Sequence, residues 1–308
     1  MKLKFLRGYI AFLFYFIIVS FSGNHSLHAS SNEREISLKI TYKVNVEGHL
    51  DSLKLKLIIP ADIKNRQTIN SLSFSIDPDR IYTLNSNTYA EFKFLDVEKS
   101  FKLVMKSNIT IYRTISNKSD TAKVDFTPYI TAENAIESDD PKIQAVAATL
   151  KEKTDIETVM KTFQYVKDHI IYELKPAIGA EKVLESGLGK CMDFSDLFVA
   201  LLRANKIPAK STFGILVDGY SGDNPLHAWS EAYLKKQGWV RFDATSGHSD
   251  ITQVGKDYIM RISNKYITLS EGRNDPELRL SMYRCRYWYG KGSTGSARLK
   301  YSFDIADL

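Results

Sequence analysis

The chain has 308 residues, 44% hydrophobic and 25% charged, with 42 Lys and Arg against 36 Asp and Glu for a net charge of +6. This is a globular composition, and three of the excess charges sit in Lys2, Lys4 and Arg7, so the remainder carries no basic block of the kind that binds nucleic acid. Two cysteines are too few for a disulfide framework, and neither Cys nor His stands at ligand spacing around Cys191, so no metal site is expected.

Lys2, Lys4 and Arg7 precede an apolar run from about Tyr9 to Phe21, then small and polar residues lead to Ala29. That layout predicts a signal peptide over 1–29 and a secreted or periplasmic protein. If uncleaved, the same run would be an anchor helix, the one membrane association the sequence implies.

From Ile36 the apolar residues alternate with polar ones: Ile36, Leu38, Ile40, Tyr42 and Val44, then Leu53, Leu55, Leu57 and Ile59, then Ala90, Phe92 and Phe94, then Phe101, Leu103 and Met105. Period two with Asn, Asp and Ser clusters between the runs predicts an antiparallel β-sandwich over 31–130. The period then changes. Asp140-Pro141 reads as a capped helix start, and Thr154 with Glu157 as a capping box ahead of Ile156, Val159, Met160, Phe163, Val166 and Ile170. His169 beside that stripe reads as a surface or satisfied core residue. Phe194, Leu197, Phe198, Leu201 and Leu202 predict a buried helix that ends at Asn205-Lys206-Ile207-Pro208. Strands are expected at about 211–217, 228–234, 239–243, 266–269, 282–289 and 297–303. The last half is therefore read as one α+β domain over 131–308, helices packed on an antiparallel sheet. Within it, Tyr283–Tyr289 interleaves cations with aromatics, either a strand with one buried face or a surface that stacks bases or sugars.

The chemistry concentrates between Gly187 and Thr245. Cys191 begins the buried helix directly after Gly187-Leu188-Gly189-Lys190, where a helix N-terminus favours a thiolate and its backbone N–H groups face a developing oxyanion. A nucleophilic thiol needs a base, and His227 opens the strand after a loop. Asp243 ends the next strand, where its carboxylate would hold the imidazole. A hairpin centred on Lys236-Gln237 sets Asp243 opposite Ser230, roughly 10 Å along the strand from His227, a gap that twist, a bulge or a shifted turn must close. Cys285 reads as a buried small hydrophobe. His248 and Asp250 read as a solvated loop, with a metal role as the weaker alternative.

Gly189-Lys190-Cys191-Met192-Asp193-Phe194, Leu202 to Lys210, His227 to Tyr233 and Gly238 to Thr245 together resemble the transglutaminase-like, papain-related core. The resemblance covers about 140–270, and the β-rich front half is similar to the domain that often precedes this core in exported bacterial members. Asn205-Lys206 departs from the glycine usual before Ile-Pro, and Ala244 from the usual proline. The resemblance implies a Cys-His-Asp mechanism in which Cys191 attacks an amide, His227 shuttles the proton and Asp243 orients His227, without a cofactor. It also makes Tyr172 a candidate side-chain donor near the thiol, a core tyrosine being the other reading. Trp229 should share a strand face with His227, either walling the substrate cleft or packing in the core. The expected function is an exported cysteine enzyme acting on peptide or glutamine amides of a protein or peptide substrate, with hydrolysis favoured over cross-linking. The alternative is a catalytically silent protein- or glycan-binding module on the same scaffold.

Overall fold

The computed structural model describes residues 33–113, 125–174, 179–218, 224–277 and 285–308, so the leader expected over 1–29 lies outside it. The chain first lays down β1 (Glu33–Glu47), β2 (Leu50–Ile59), β3 (Gln67–Phe74), β4 (Arg80–Leu84), β5 (Asn87–Val97) and β6 (Phe101–Tyr112). A mostly helical stretch follows: α1 (Thr127–Ile130), α2 (Pro141–Leu150), α3 (Asp155–His169), β7 (Ile171–Tyr172), α4 (Ala180–Ser186), β8 (Leu188–Gly189) and α5 (Cys191–Ala204). Strands then return as β9 (Ala209–Leu216), β10 (Leu226–Leu234), β11 (Gly238–Asp243), β12 (His248–Ser249), β13 (Ile251–Val254), β14 (Asp257–Met260), β15 (Tyr266–Glu271), β16 (Cys285–Tyr289) and β17 (Ser296–Asp307).

The front strands form the expected sandwich, one sheet in the order β17-β1-β6-β3 and the other β16-β2-β5-β4, both antiparallel. Its inner faces are the alternating residues of the sequence pattern, among them Ile36, Leu38, Leu53, Leu55, Phe92, Leu103 and Met105, all buried. The boundary at 130 does not hold for the last two strands. They leave the second half and pair with β1 and β2, far upstream in sequence. The reason is the stripe Leu299, Tyr301, Phe303 and Ile305, which matches β1 in register (Tyr42 with Tyr301, Ile40 with Phe303, Leu38 with Ile305) and completes the sandwich core.

The remaining strands make a five-stranded antiparallel sheet in the order β12-β11-β10-β9-β15. On one face lies α5, buried from Asp193 to Arg203, with α2, α3 and α4 packed around it. The caps read from sequence are formed: Asp140 accepts from the Lys142 and Ile143 N–H groups, and Thr154 with Glu157 closes a capping box. At the other end of α5 the Lys206 N–H reaches the Arg203 carbonyl (2.9 Å) and Ile207 the Leu202 carbonyl (3.0 Å), a Schellman closure. Lys206 adopts φ +62° there, so the departure from the usual glycine forces a side chain into the left-handed region.

The sandwich docks on the outer edge of this sheet. Ile215, Val217, Ile267 and Leu269 join its hydrophobic core. Two of its amides also satisfy the unpaired backbone of edge strand β15. Gln67 donates to the Thr268 carbonyl (2.9 Å) and accepts from its N–H (2.8 Å), and Asn87 does the same at Glu271 (3.1 and 2.9 Å).

Candidate active site

Two glycines shape the approach to the thiol. Gly187 ends α4 at φ +63°, and Gly189 has no room for a side chain because an added Cβ would lie 2.5 Å from the Asp193 Cβ. Asp193 sits that close because its carboxylate accepts the Lys190 N–H at 2.7 Å and fixes the first turn of α5. Cys191 is the first helical residue, half-buried beside Met192 against Phe213 and Ala228. The Asp193 and Phe194 N–H groups donate to the Lys190 carbonyl at 2.9 and 3.1 Å, so those of Cys191 and Met192, at the very start of the helix, are the ones a developing negative charge could use.

His227 and Asp243 meet: the imidazole Nε2 lies 2.7 Å from the Asp243 Oδ2. The expected gap is closed by the turn. Leu234 pairs with Gly238 across the three residues Lys235-Lys236-Gln237, and Gly238 takes φ +76°. The pairing of Ser230 with Phe242 then sets Asp243 level with Trp229. One residue of register returns the carboxylate to the face that carries His227, whereas the symmetric hairpin would have turned it away. With Nε2 committed to Asp243, Nδ1 is the ring nitrogen left for the thiol.

Asp243 is fully buried and held from three sides, by His227, by the Tyr266 hydroxyl on Oδ2 (3.0 Å) and by the Ser246 N–H on Oδ1 (3.2 Å). Burial alone would raise its pKa, but His227 and Ser246 bring it below the ordinary carboxylate value. For His227, burial opposes the charged form, yet hydrogen bonds to Asp243 and Cys191 prevail and lift the imidazolium to about 10. The site thus favours an imidazolium between a thiol and a carboxylate.

Trp229 does share the strand face of His227, but at 1% exposure it cannot wall an open cleft. It packs edge-to-face on Tyr266 at 4.9 Å, a position in the core of the sheet. Tyr172 goes the other way. It is 53% exposed, pairs opposite Gly189 in the β7–β8 ladder, and has its phenol pKa raised by burial and by the charge at Cys191, so it is a rim residue beside the thiol and not a core tyrosine. His169 is satisfied, with Nε2 2.8 Å from the Leu184 carbonyl. Cys285 lies half-buried on β16 of the sandwich, and no disulfide joins it to Cys191.

Asp250 corrects the expectation of a solvated loop. It is fully buried, with Arg66 at 2.9 Å, Arg241 at 3.8 Å, the Ser263 N–H at 2.9 Å and His248 Nε2 at 3.4 Å. Burial would raise it, but Arg241, His248 and Arg66 take it down to about 2. Among the described residues no group of three or more His, Cys, Asp or Glu is arranged to hold a metal. Tyr266, Arg241 and Arg66 are the neighbours that sequence reasoning missed. Tyr266 carried no signal beyond strand alternation, and Arg66 stands in a polar Asn65-Arg66-Gln67 stretch that reads as solvent-facing. At the sugar-stacking candidate, Trp288 carries Arg286 at 4.7 Å and Lys56 at 5.7 Å from its ring centroid, so cations compete there with a sugar for its faces.

Residues 144–244 match the Transglutaminase-like superfamily. The uncharacterized protein YebA of Bacillus subtilis (strain 168) is 32% identical over 83 residues, which cover 23% of this chain and 11% of that protein, so the match spans about a tenth of the relative's length. A solved structure from Cytophaga hutchinsonii, described as a candidate cysteine protease, aligns with a TM-score of 0.66 at 18% identity over 90% of this chain and 92% of that one. At that identity the likeness establishes the shared fold.

Proposed function

We propose that this chain, whose residues 144–244 form a transglutaminase-like core, is an exported cysteine enzyme that opens peptide or glutamine amide bonds through a thioester, with hydrolysis favoured over cross-linking. The observation that carries the reading is the 2.7 Å contact of His227 with a fully buried Asp243, in a site where Cys191 at a helix start also favours the charged imidazole. In this reading the Cys191 thiolate adds to the amide carbonyl carbon, and the oxyanion is held by N–H groups of the first turn of α5. The C–N bond then breaks as the His227 imidazolium protonates the departing amine or ammonia, leaving a thioester and a neutral imidazole. Water, deprotonated by His227, attacks the thioester. Its proton stays on the imidazole, the acid is released and the thiolate returns. Asp243 keeps the ring oriented and stabilises its charged form throughout. Tyr172 at the rim is the candidate side-chain contact to substrate. The basic and apolar pattern of residues 1–29 supports export.

Incubating the full chain with peptides bearing glutamine and internal amides, with and without a primary amine, tests this by mass spectrometry. Acid products should outnumber amine adducts, and both should vanish in Cys191→Ala. Predominance of adducts would reverse the order of hydrolysis and transfer. Products identical to those of Cys191→Ala would overturn the enzyme and leave a binding module on the same scaffold.

A further inference from the structure

Arg66 and Gln67 stand at the corner of the sandwich between β2 and β3, and both side chains reach beyond it, Gln67 while also donating to the Ala61 carbonyl of the corner at 2.8 Å. The Arg66 guanidinium donates to Asp250 Oδ2 at 2.9 Å and to the Trp239 carbonyl at 2.6 Å. Asp250 holds the second cation, Arg241, whose guanidinium carbon lies 4.3 Å from the Tyr266 ring centroid. Tyr266 donates to Asp243 Oδ2, the oxygen that also takes His227. Gln67 meanwhile fixes the backbone at Thr268, two residues along the strand that begins with Tyr266. Two routes from one corner therefore end on the same tyrosine.

Docking alone does not call for such a corner. The apolar residues Ile215, Val217, Ile267 and Leu269 already join the sandwich to the sheet. A buried guanidinium adds a desolvation cost that a hydrophobic side chain at the same place would avoid. The charges are also balanced locally. Arg66 and Arg241 face Asp250 and feel Glu231, which is 3.7 Å from Lys210, and Lys210 is bonded in turn to Glu271. His248 approaches Asp250 from the exposed side. Every member is held, so displacing one moves the others.

Resting on the thiol–imidazole reading above, we propose that Arg66 and Gln67 are positioning residues of the candidate active site. The sandwich holds Arg241 and β15 so that the Tyr266 hydroxyl stays on Asp243, and the front domain is thereby part of the catalytic unit. Without that hydroxyl the carboxylate has one fewer anchor and the imidazolium stabilises the thiolate less well.

The test is the pH dependence of iodoacetamide labelling of Cys191, read on its tryptic peptide in the full chain well below the unfolding temperature. Tyr266→Phe and Arg66→Met should each lower the rate near pH 6 by about 10-fold, moving the acid limb upward by about one pH unit, while Arg66→Lys keeps most of it. Because both act at one hydroxyl, Arg66→Met added to Tyr266→Phe should produce no further shift. Should Arg66→Met fail to fold, Tyr266→Phe and Arg66→Lys, alone and combined, carry the comparison, and the combined variant should match Tyr266→Phe. An activated wild-type profile left unchanged by Tyr266→Phe, or shifts that add in the double variant, would overturn this inference alone. An ordinary thiol profile in the wild type would overturn the enzyme reading with it.

Discussion

The two faces of the central sheet are built from the same strands in opposite ways. Toward α5 the strands present Ala232, Leu234, Val240 and Phe242, packed on Phe163 and Phe198 in one apolar core. One residue along, the same strands present Trp229, Glu231, Arg241 and Asp243, all buried as well, but three of them charged. The first face needs only volume and hydrophobicity, and tolerates any side chain that fills it. The second needs each partner in place, because an unpaired buried charge costs far more than a missing methyl group. The candidate triad draws its aspartate and histidine from the second face and its cysteine from the helix on the first. The fold therefore separates what stabilises the sheet from what aims the site.

Substitutions on the two faces should accordingly fail in different ways. Asp243→Asn should lower turnover on the order of 10³- to 10⁴-fold with the fold retained, since the amide no longer holds the imidazole as a carboxylate does. Phe198→Ala, on the apolar face, should cost about 3–5 kcal/mol in urea unfolding while turnover below the transition stays within a few-fold of wild type. Proportionate loss of stability and turnover in both would erase the distinction. Asp250→Ala should also cost about 3–5 kcal/mol, because Arg66 and Arg241 would lose the buried carboxylate that lies between them and keep their charges. A cost below about 1 kcal/mol would mean that water enters the cluster and that the second face is not sealed.

The pH dependence of stability gives a finer contrast. His227 binds its proton more tightly folded than unfolded, so its contribution is complete below about pH 6.5 and is lost as pH rises through its folded value of about 10. Wild type should therefore lose stability over that window relative to His227→Gln, measured by urea unfolding at a series of pH values. Parallel curves would mean that the imidazolium is not stabilised by folding. The smallest effect belongs to the end of α5. Lys206→Gly should relieve the left-handed backbone and raise stability by about 1 kcal/mol without altering turnover.

The apolar face was legible in the sequence because period is a local signal. The α5 stripe, the Thr154 capping box and the alternation of β1 and β2 all appear as read, and so do Cys191, His227 and Asp243 on their elements. What escaped were relations between distant segments. The pairing of β17 with β1 joins residues about as far apart as the chain allows, and an alternating strand does not say which free edge it will take. The His227–Asp243 approach depended on a one-residue register set by Gly238, which a symmetric turn misplaces. Arg66 and Asp250 look like solvent residues until the sandwich closes over the sheet, because a buried ion pair has the same composition as an exposed one. Trp229 showed the right strand face, but neither spacing nor face tells burial from cleft.

The central claim is that Cys191 and His227 act as an activated pair, and the most direct measurement is the rate of iodoacetamide labelling of Cys191 against pH in a Cys285→Ala background. The expected result is fast labelling that persists down to about pH 6 in the chain with His227 and is lost in His227→Ala. Slow labelling that follows an ordinary thiol profile, unchanged by His227→Ala, would contradict the account.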